Sequence, residues 1–198
     1  MGITSIILIV VVAVIAIYLI GVFNQLVALK NRFQNAFAQI EVQLKRRYDL
    51  IPNLVETARA YMAHESSTLE AVIQARNQAS GSLGQAAAHP GDAAAMKSLA
   101  AQEGALTSAL SRFSMVMEAY PDLKASQNMM QLTEELTSTE NKVAFARQAY
   151  NDQVTAYNTY RQSFPAVVFA GLLGHGTDAA LLEFADSAQI QQAPKVSF

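Results

Sequence analysis

The chain has 198 residues, 52% of them hydrophobic, and carries a net charge of −2 at neutral pH. This length suits one domain with an ample apolar core. So small a net charge argues against nucleic-acid binding, which depends on a strongly basic surface. The sequence has no cysteine, which excludes disulfides, thiol catalysis and cysteine-ligated metal sites.

The first elements lie in an apolar stretch, residues 3–23 (ITSIILIVVVAVIAIYLIGVF), that contains no charged side chain. A helix of about 20 residues matches the ~30 Å hydrocarbon core of a membrane. We therefore predict a transmembrane anchor over residues 1–23, in contact with the lipid bilayer. A cleaved secretory signal is the alternative, but no basic residue precedes the stretch and Phe23-Asn24-Gln25 is no cleavage site.

The orientation of this anchor follows from its flanking charges. No basic residue precedes it, whereas Lys30 and Arg32 follow closely, and basic flanks tend to stay in the cytoplasm. We predict a single-pass protein of the inner (cytoplasmic) membrane with its N-terminus outside and its soluble part in the cytoplasm. A periplasmic soluble part is the alternative.

Helical spacing continues beyond the anchor. Apolar residues recur at steps of three and four, which indicates one buried helix face: Leu26, Leu29, Phe33, Phe37, Ile40, Leu44 and Tyr48. A looser pattern predicts a second helix over residues 50–79. Residues 80–84 (SGSLG) and 89–92 (HPGD) then predict a loop.

Two further helices are predicted over residues 93–120 and 127–163. Asp92 is a suitable N-cap for the third helix, whose heptad spacing has one polar exception, Glu103. Pro121 ends that helix, and Pro165 stops the fourth. The fold class is all-α: an N-terminal transmembrane helix, an antiparallel up-and-down four-helix bundle with long helices over residues 24–163, and an apolar, irregular segment over residues 164–198.

Pro52 leaves two arrangements open. If the chain reverses near Tyr48, Asp49 caps a new helix, Pro52 stands harmlessly in its first turn, and the helices have matched lengths. If the helix instead continues with a kink to Ala79, the apolar spacing passes Pro52 in phase. We predict the reversal.

The sequence shows little sign of catalytic chemistry. None of His64, His89 and His175 has the glutamate three residues earlier that di-iron bundles use. No serine has an adjacent histidine to activate it, and the glycines of residues 171–176 lack phosphate-binding spacing. We therefore predict no enzymatic activity, no metal and no cofactor.

Two groups of residues are candidate contact sites. The reversal would bring a partner-binding tip together at the membrane-distal end: Lys45, Arg46, Arg47, Tyr48, Asp49, Pro121 and Asp122. A short apolar run is a candidate membrane or oligomer contact, the alternative being that it plugs the end of the bundle: Phe164, Val167, Val168, Phe169, Leu172 and Leu173. We interpret Tyr150, Tyr157 and Tyr160 as core residues with hydrogen-bond partners, a ligand pocket being the alternative.

Three stretches of the chain closely resemble the LemA family of bacterial membrane proteins: LVALKNRFQNAFAQIEVQLKRRYDLIPNLVETARAYMAHE, AYPDLKASQNMMQLTEELTSTENKVAFARQAYNDQVTAYNTYRQSFP and APKVSF. The resemblance implies one N-terminal membrane helix and an antiparallel helical bundle. It implies no defined biochemical activity. The sequence thus predicts a membrane-anchored scaffold or adaptor that forms homo-oligomers and organises protein partners. An accessory subunit that regulates a membrane-protein partner, an enzyme or a transporter, is the alternative.

Overall fold

A computed structural model describes residues 2–184, and all regular secondary structure in that range is helical. The helices are α1 (Ile3–Arg59), α2 (Ser66–Ala88), α3 (Ala93–Met117), α4 (Pro121–Lys124), α5 (Gln127–Gln162) and α6 (Ala166–Ala170). The four long helices alternate in direction, which confirms the predicted all-α antiparallel bundle. The APKVSF motif lies outside the described residues.

Helix α1 joins the apolar stretch to the bundle without a break. Its N-terminal part is apolar and long enough to cross a membrane, and almost none of that part is buried in the protein. From Val22 onward its buried side chains recur at steps of three and four, as the spacing predicts: Val22, Leu26, Leu29, Phe33, Phe37, Ile40, Leu44, Tyr48, Ile51, Leu54, Val55 and Ala58.

The predicted reversal near Tyr48 is wrong, because α1 continues through Pro52 to Arg59. Proline has no N–H, so Pro52 leaves the Tyr48 carbonyl without its partner in the helix. Arg76, on α2, donates its Nε–H to that carbonyl at 3.0 Å. A contact from another helix thus replaces the missing bond, and the chain reverses only over residues 60–65.

The predicted loop over residues 80–92 is also wrong in most of its length, since α2 continues to Ala88. Gly81 and Gly84 lie on the solvent side of α2, with no neighbouring atom within 4 Å of the position a Cβ would take. The reversal is confined to residues 89–92, where Gly91 has φ of +89°. A Cβ at Gly91 would lie only 3.1–3.2 Å from Ala179 and Phe33, so glycine suits this turn for its backbone angle and for the close packing.

The third and fourth predicted helices match the structure closely. The Asp92 carboxylate accepts a hydrogen bond from the Ala95 amide at 2.8 Å, which confirms it as the N-cap of α3. Helix α5 runs from Gln127 to Gln162, against the predicted 127–163. The short helix α4, which begins at Pro121, was not predicted.

The helices form a bundle that is open along one side. Helix α1 packs along α5 and α2, and α2 packs along α3. Helices α3 and α5 do not pack along their length, and cavities lie between their membrane-distal halves. The extramembrane part of α1 and the whole of α5 are each about 54 Å long at 1.5 Å per residue, so this pair forms the long axis of the bundle.

Candidate functional site

A cluster of buried polar side chains lies in the middle of the bundle and connects three helices. Arg47 of α1 donates to Glu103 of α3 at 2.8 Å and to Glu140 of α5 at 3.0 Å. It also reaches the Thr107 hydroxyl of α3 at 3.4 Å. The Tyr48 hydroxyl donates to the second oxygen of the Glu103 carboxylate.

The environment of this cluster keeps its charges paired. Burial raises the pKa of Glu103 above its ordinary value, while Arg47 and the hydrogen bond from Tyr48 act in the opposite direction. Burial, together with the neighbouring Glu103, also raises the pKa of Tyr48, so its hydroxyl stays protonated and remains a donor. The side chains of Arg47 and Glu103 are 5% and 1% exposed. Arg47 and Tyr48 both bind Glu103, and these three side chains are closed to solvent, whereas Glu140 is 47% exposed and Arg47 Nε has no hydrogen-bond partner within residues 2–184. The buried groups are suited to fixing helix positions rather than to binding a substrate.

The seven residues predicted to form a partner-binding tip do not lie together. Because α1 continues to Arg59, residues 45–49 fall in its middle, and Arg47 and Tyr48 point into the core. The membrane-distal end is formed instead by residues 60–65 and 118–126, which meet where the Tyr120 hydroxyl donates to Glu65 at 3.4 Å. Pro121 and Asp122 lie at that end.

The other charged residues at positions 45–49 are exposed and pair with single side chains of α1, α5 or α2. Lys45 pairs with Glu41 at 2.5 Å, one turn earlier on α1. Arg46 lies 4.0 Å from Glu135 of α5. Asp49 lies 3.9 Å from Arg76 of α2.

Sequence reasoning did not find the buried cluster, although one signal for it was present. Glu103 occupies a core position in the heptad spacing of α3, and a charged residue at such a position is almost never buried without a partner. Three positive charges stand together at residues 45–47, so the sequence alone did not single out Arg47 as that partner.

An open groove lies between α3 and α5 at the membrane-distal end. One cavity there, of about 610 Å³, is lined by Met117, Met129, Met130 and polar side chains of α5. A second, of about 430 Å³, shares Met117, Thr133 and Thr137 with the first and extends to Glu140 beside the buried cluster. We call these two cavities the distal groove.

At the membrane-proximal end, side chains of α5 hold residues 179–182 against the bundle through hydrogen bonds to the main chain of that segment. The Asn151 amide both donates to and accepts from Leu182, and Asn158 does the same with Ala179. The Tyr150 hydroxyl donates to the Ala180 carbonyl at 2.8 Å.

The tyrosines of α5 lie where the core interpretation puts them. Tyr150 and Tyr157 are buried, and their rings meet Phe33 edge-on at 6.3 and 5.3 Å. The Tyr157 hydroxyl also lies 3.0 Å from His175 Nδ1. The interpretation of these two tyrosines as core residues is confirmed, while Tyr160 is partly exposed.

The residues predicted as a membrane or oligomer contact lie on and around α6, beyond the end of α5. Phe164, Val167, Val168 and Leu172 are exposed, while Phe169 and Leu173 are partly buried. Ala166 and Ala170, on the opposite side of α6, are buried in the bundle. In residues 2–184 no group of three or more histidine, aspartate or glutamate side chains is placed to hold a metal ion.

In residues 2–184 one helix is apolar and long enough to cross a membrane, and it leads directly into the bundle. This arrangement defines a membrane-associated helical-bundle protein. A model of the LemA family matches residues 36–198. Since this match covers most of the chain, the chain belongs to the LemA family, and the resemblance found in the sequence is confirmed.

Curated relatives include proteins of two names. Protein LemA of Metamycoplasma hominis is 27% identical over 145 residues, which are 73% of this chain and 62% of that protein. Magnetosome protein MamQ of Magnetospirillum gryphiswaldense is 24% identical, and magnetosome protein MamQ 2 of Paramagnetospirillum magneticum is 26% identical. Both of these matches span 167 residues, 77% of this chain and 61% of the relative. The chain therefore spans about three-fifths of the length of these relatives.

Proposed function

We propose that this chain is a non-enzymatic, membrane-anchored scaffold that associates with further copies of itself and thereby organises protein partners at the membrane. The observation that carries the proposal is the distal groove, an open recess in which methionines stand among polar side chains. Methionine side chains line it, and their flexibility suits a surface that packs against another protein.

A second copy of the chain is the occupant that the groove favours. Met130 lines the recess and is itself 53% exposed, so the same patch carries both a hollow and an apolar side chain that can enter one. A patch of this kind can be self-complementary, as two-fold symmetric interfaces require. Because all copies are anchored in one membrane, their grooves lie at one height, roughly 40 Å from Phe23 by helical rise. This shared height raises the effective concentration of the grooves for one another.

A charge in the groove is expected to disrupt this association. Two differently tagged copies are expressed together and purified through one tag in mild detergent. With Met130→Glu in both copies we expect recovery of the second tag to fall roughly tenfold, which corresponds to about 1.4 kcal/mol. Met115→Glu is the matched control, since Met115 is 67% exposed on α3 and does not line the groove.

The outcomes of this experiment separate the two functions that the sequence left open. Undiminished pairing of the Met130→Glu chains would contradict the proposed interface. Chains that do not pair but retain a foreign protein in fixed ratio would favour the accessory subunit over the self-associating scaffold.

We further propose that the chain lies in the inner membrane with its bundle in the cytoplasm, which Lys30 and Arg32 support by the positive-inside rule. The chain has no cysteine, so single cysteines report location without background. In cells with a permeabilised outer barrier, an impermeant thiol reagent is expected to label Gly2→Cys and to spare Ser67→Cys, which lies on the exposed surface near the distal end. The reverse pattern would place the bundle outside.

A further inference from the structure

The packing of α5 on α1 fixes the level of α6 relative to the apolar N-terminal stretch. Arg47 pairs with Glu140, and Phe37 packs on Tyr150 with ring centroids 5.6 Å apart. The two pairs are separated by the same number of residues on α1 and on α5. Each further residue along α5 therefore lies beside the residue one position earlier on α1. Continued to the end of α5, that register brings Ser163 beside Asn24, directly after the apolar stretch.

Helix α6 follows Ser163, so it lies level with the last turns of that stretch. One ring contact agrees with this placement, since the His175 ring meets the Phe23 ring edge-on at 6.4 Å. Helix α6 itself packs on both α1 and α5.

Four apolar side chains on α6 and directly beside it in the sequence are exposed. Phe164 and Leu172 are 84% and 87% exposed, and Val167 and Val168 are 48% and 58% exposed. Side chains of this kind cluster on a soluble surface only where something covers them. We call these four residues the α6 face.

The charges around the α6 face fit a boundary between lipid and water. No aspartate, glutamate, lysine or arginine occurs in the sequence between Arg161 and Asp178, and the one histidine there, His175, is buried. Arg161 and Asp178 form an ion pair with each other. Lys30 lies on α1 beyond the end of the apolar stretch, on the side of the bundle. Within residues 2–184, the charged groups nearest the α6 face in the sequence thus lie on the side of the bundle.

We propose that the α6 face inserts into the interfacial layer of the bilayer beside α1 and forms a second membrane contact. Lipid is the favoured occupant because the α6 face continues the surface of α1 itself, where Ile17 and Ile20 are 71% and 60% exposed and no other helix covers them in residues 2–184. The run is too short to cross the membrane. Apolar side chains at the headgroup boundary are buried to a depth of about 5–10 Å.

Tryptophan fluorescence tests this proposal directly, because the chain contains no tryptophan. The full chain with Phe164→Trp is reconstituted into phosphatidylcholine vesicles, with or without lipids brominated near the headgroup end of the acyl chain. We expect the brominated lipid to lower the emission of the tryptophan at position 164 roughly twofold, with a blue-shifted maximum, as for an indole at the acyl boundary. Phe145→Trp is the matched control, since Phe145 is 73% exposed on α5 within the bundle, and its emission is expected to be unaffected.

A second variant, Leu172→Trp, repeats the measurement at an independent and equally exposed position. Emission from both variants that matches the control in both lipids would overturn the proposal. A second result would also overturn the proposal: a blue-shifted emission that brominated lipid does not quench and that shifts to the red when the protein is diluted in lipid. In that case a second copy of the chain, and not lipid, covers the α6 face.

Discussion

Replacing Arg47 with methionine is expected to lower the free energy of unfolding by about 3–5 kcal/mol, the usual cost of breaking a buried ion pair. The reason is that Glu103, whose side chain is 1% exposed, then lies in the core without its cation. Glu140 is 47% exposed, so water can solvate it once Arg47 is gone. Urea unfolding in detergent, followed by helical circular dichroism, measures the loss.

Two further variants distinguish the destabilisation caused by an unpaired buried charge from that caused by the loss of a long side chain. Arg46→Met removes an exposed neighbour that lies 4.0 Å from Glu135, and we expect it to cost less than about 1 kcal/mol. Arg47→Met combined with Glu103→Gln is expected to recover part of the loss, because no buried charge remains unpaired and the new amide oxygen still accepts from Tyr48. Equal costs for Arg46→Met and Arg47→Met would contradict this account.

Acid should reduce the cost of Arg47→Met. Without the cation, burial raises the folded-state pKa of Glu103 further above its ordinary value of 4.5. The folded variant then binds a proton more tightly than the unfolded chain. The stability that the variant loses relative to the parent is therefore smaller below pH 4.5. It increases as the pH rises through the folded-state pKa of Glu103.

Replacing Arg76 with methionine is expected to cost about 1–3 kcal/mol, because it leaves the partly buried Tyr48 carbonyl without a donor. The same change in a Pro52→Ala chain should cost less, since the alanine N–H can then reach that carbonyl along the helix. The difference between the two costs is a coupling energy, which we expect to be about 0.5–3 kcal/mol for groups that share one acceptor. Thermal and urea unfolding of the four chains measure it.

Asp49→Ala is the control for the ion pair between Arg76 and Asp49. Asp49 lies 3.9 Å from Arg76 and its side chain is 82% exposed, so its loss should change stability by no more than about 0.5 kcal/mol. If Arg76→Met costs as much in the Pro52→Ala chain as in the parent, the carbonyl of Tyr48 is not what Arg76 stabilises.

The course of α1 shows how far the sequence could predict this fold. The apolar spacing runs through Pro52 in phase, and that was the correct signal. The reversal was predicted instead because it gives helices of matched length. In the structure Arg76 replaces the hydrogen bond that Pro52 cannot make. That donor stands 28 residues farther along the chain, and no local pattern connects it to Tyr48.

The candidate sites also show that contacts between residues close in the sequence could be predicted, whereas contacts between distant residues could not. Asp92 was predictable as a cap because the group it binds lies three residues away. The Arg47–Glu103 pair spans 56 residues, and its formation depends on how three helices face one another. Misplacing one turn of the chain was therefore enough to replace a buried cluster with a supposed surface tip.

The continuity of α1 also has a mechanical consequence. One rigid element of 57 residues reaches from the lipid to the distal end of the bundle, so the bundle must lean whenever the membrane segment leans. Membrane helices tilt by about 20° on average, and over the roughly 54 Å beyond Phe23 such a tilt moves the distal end sideways by about 18 Å. A thinner bilayer, which increases tilt, would thus shift the distal groove laterally and bring it closer to the membrane, making the reach of the bundle depend on the thickness of the lipid around it.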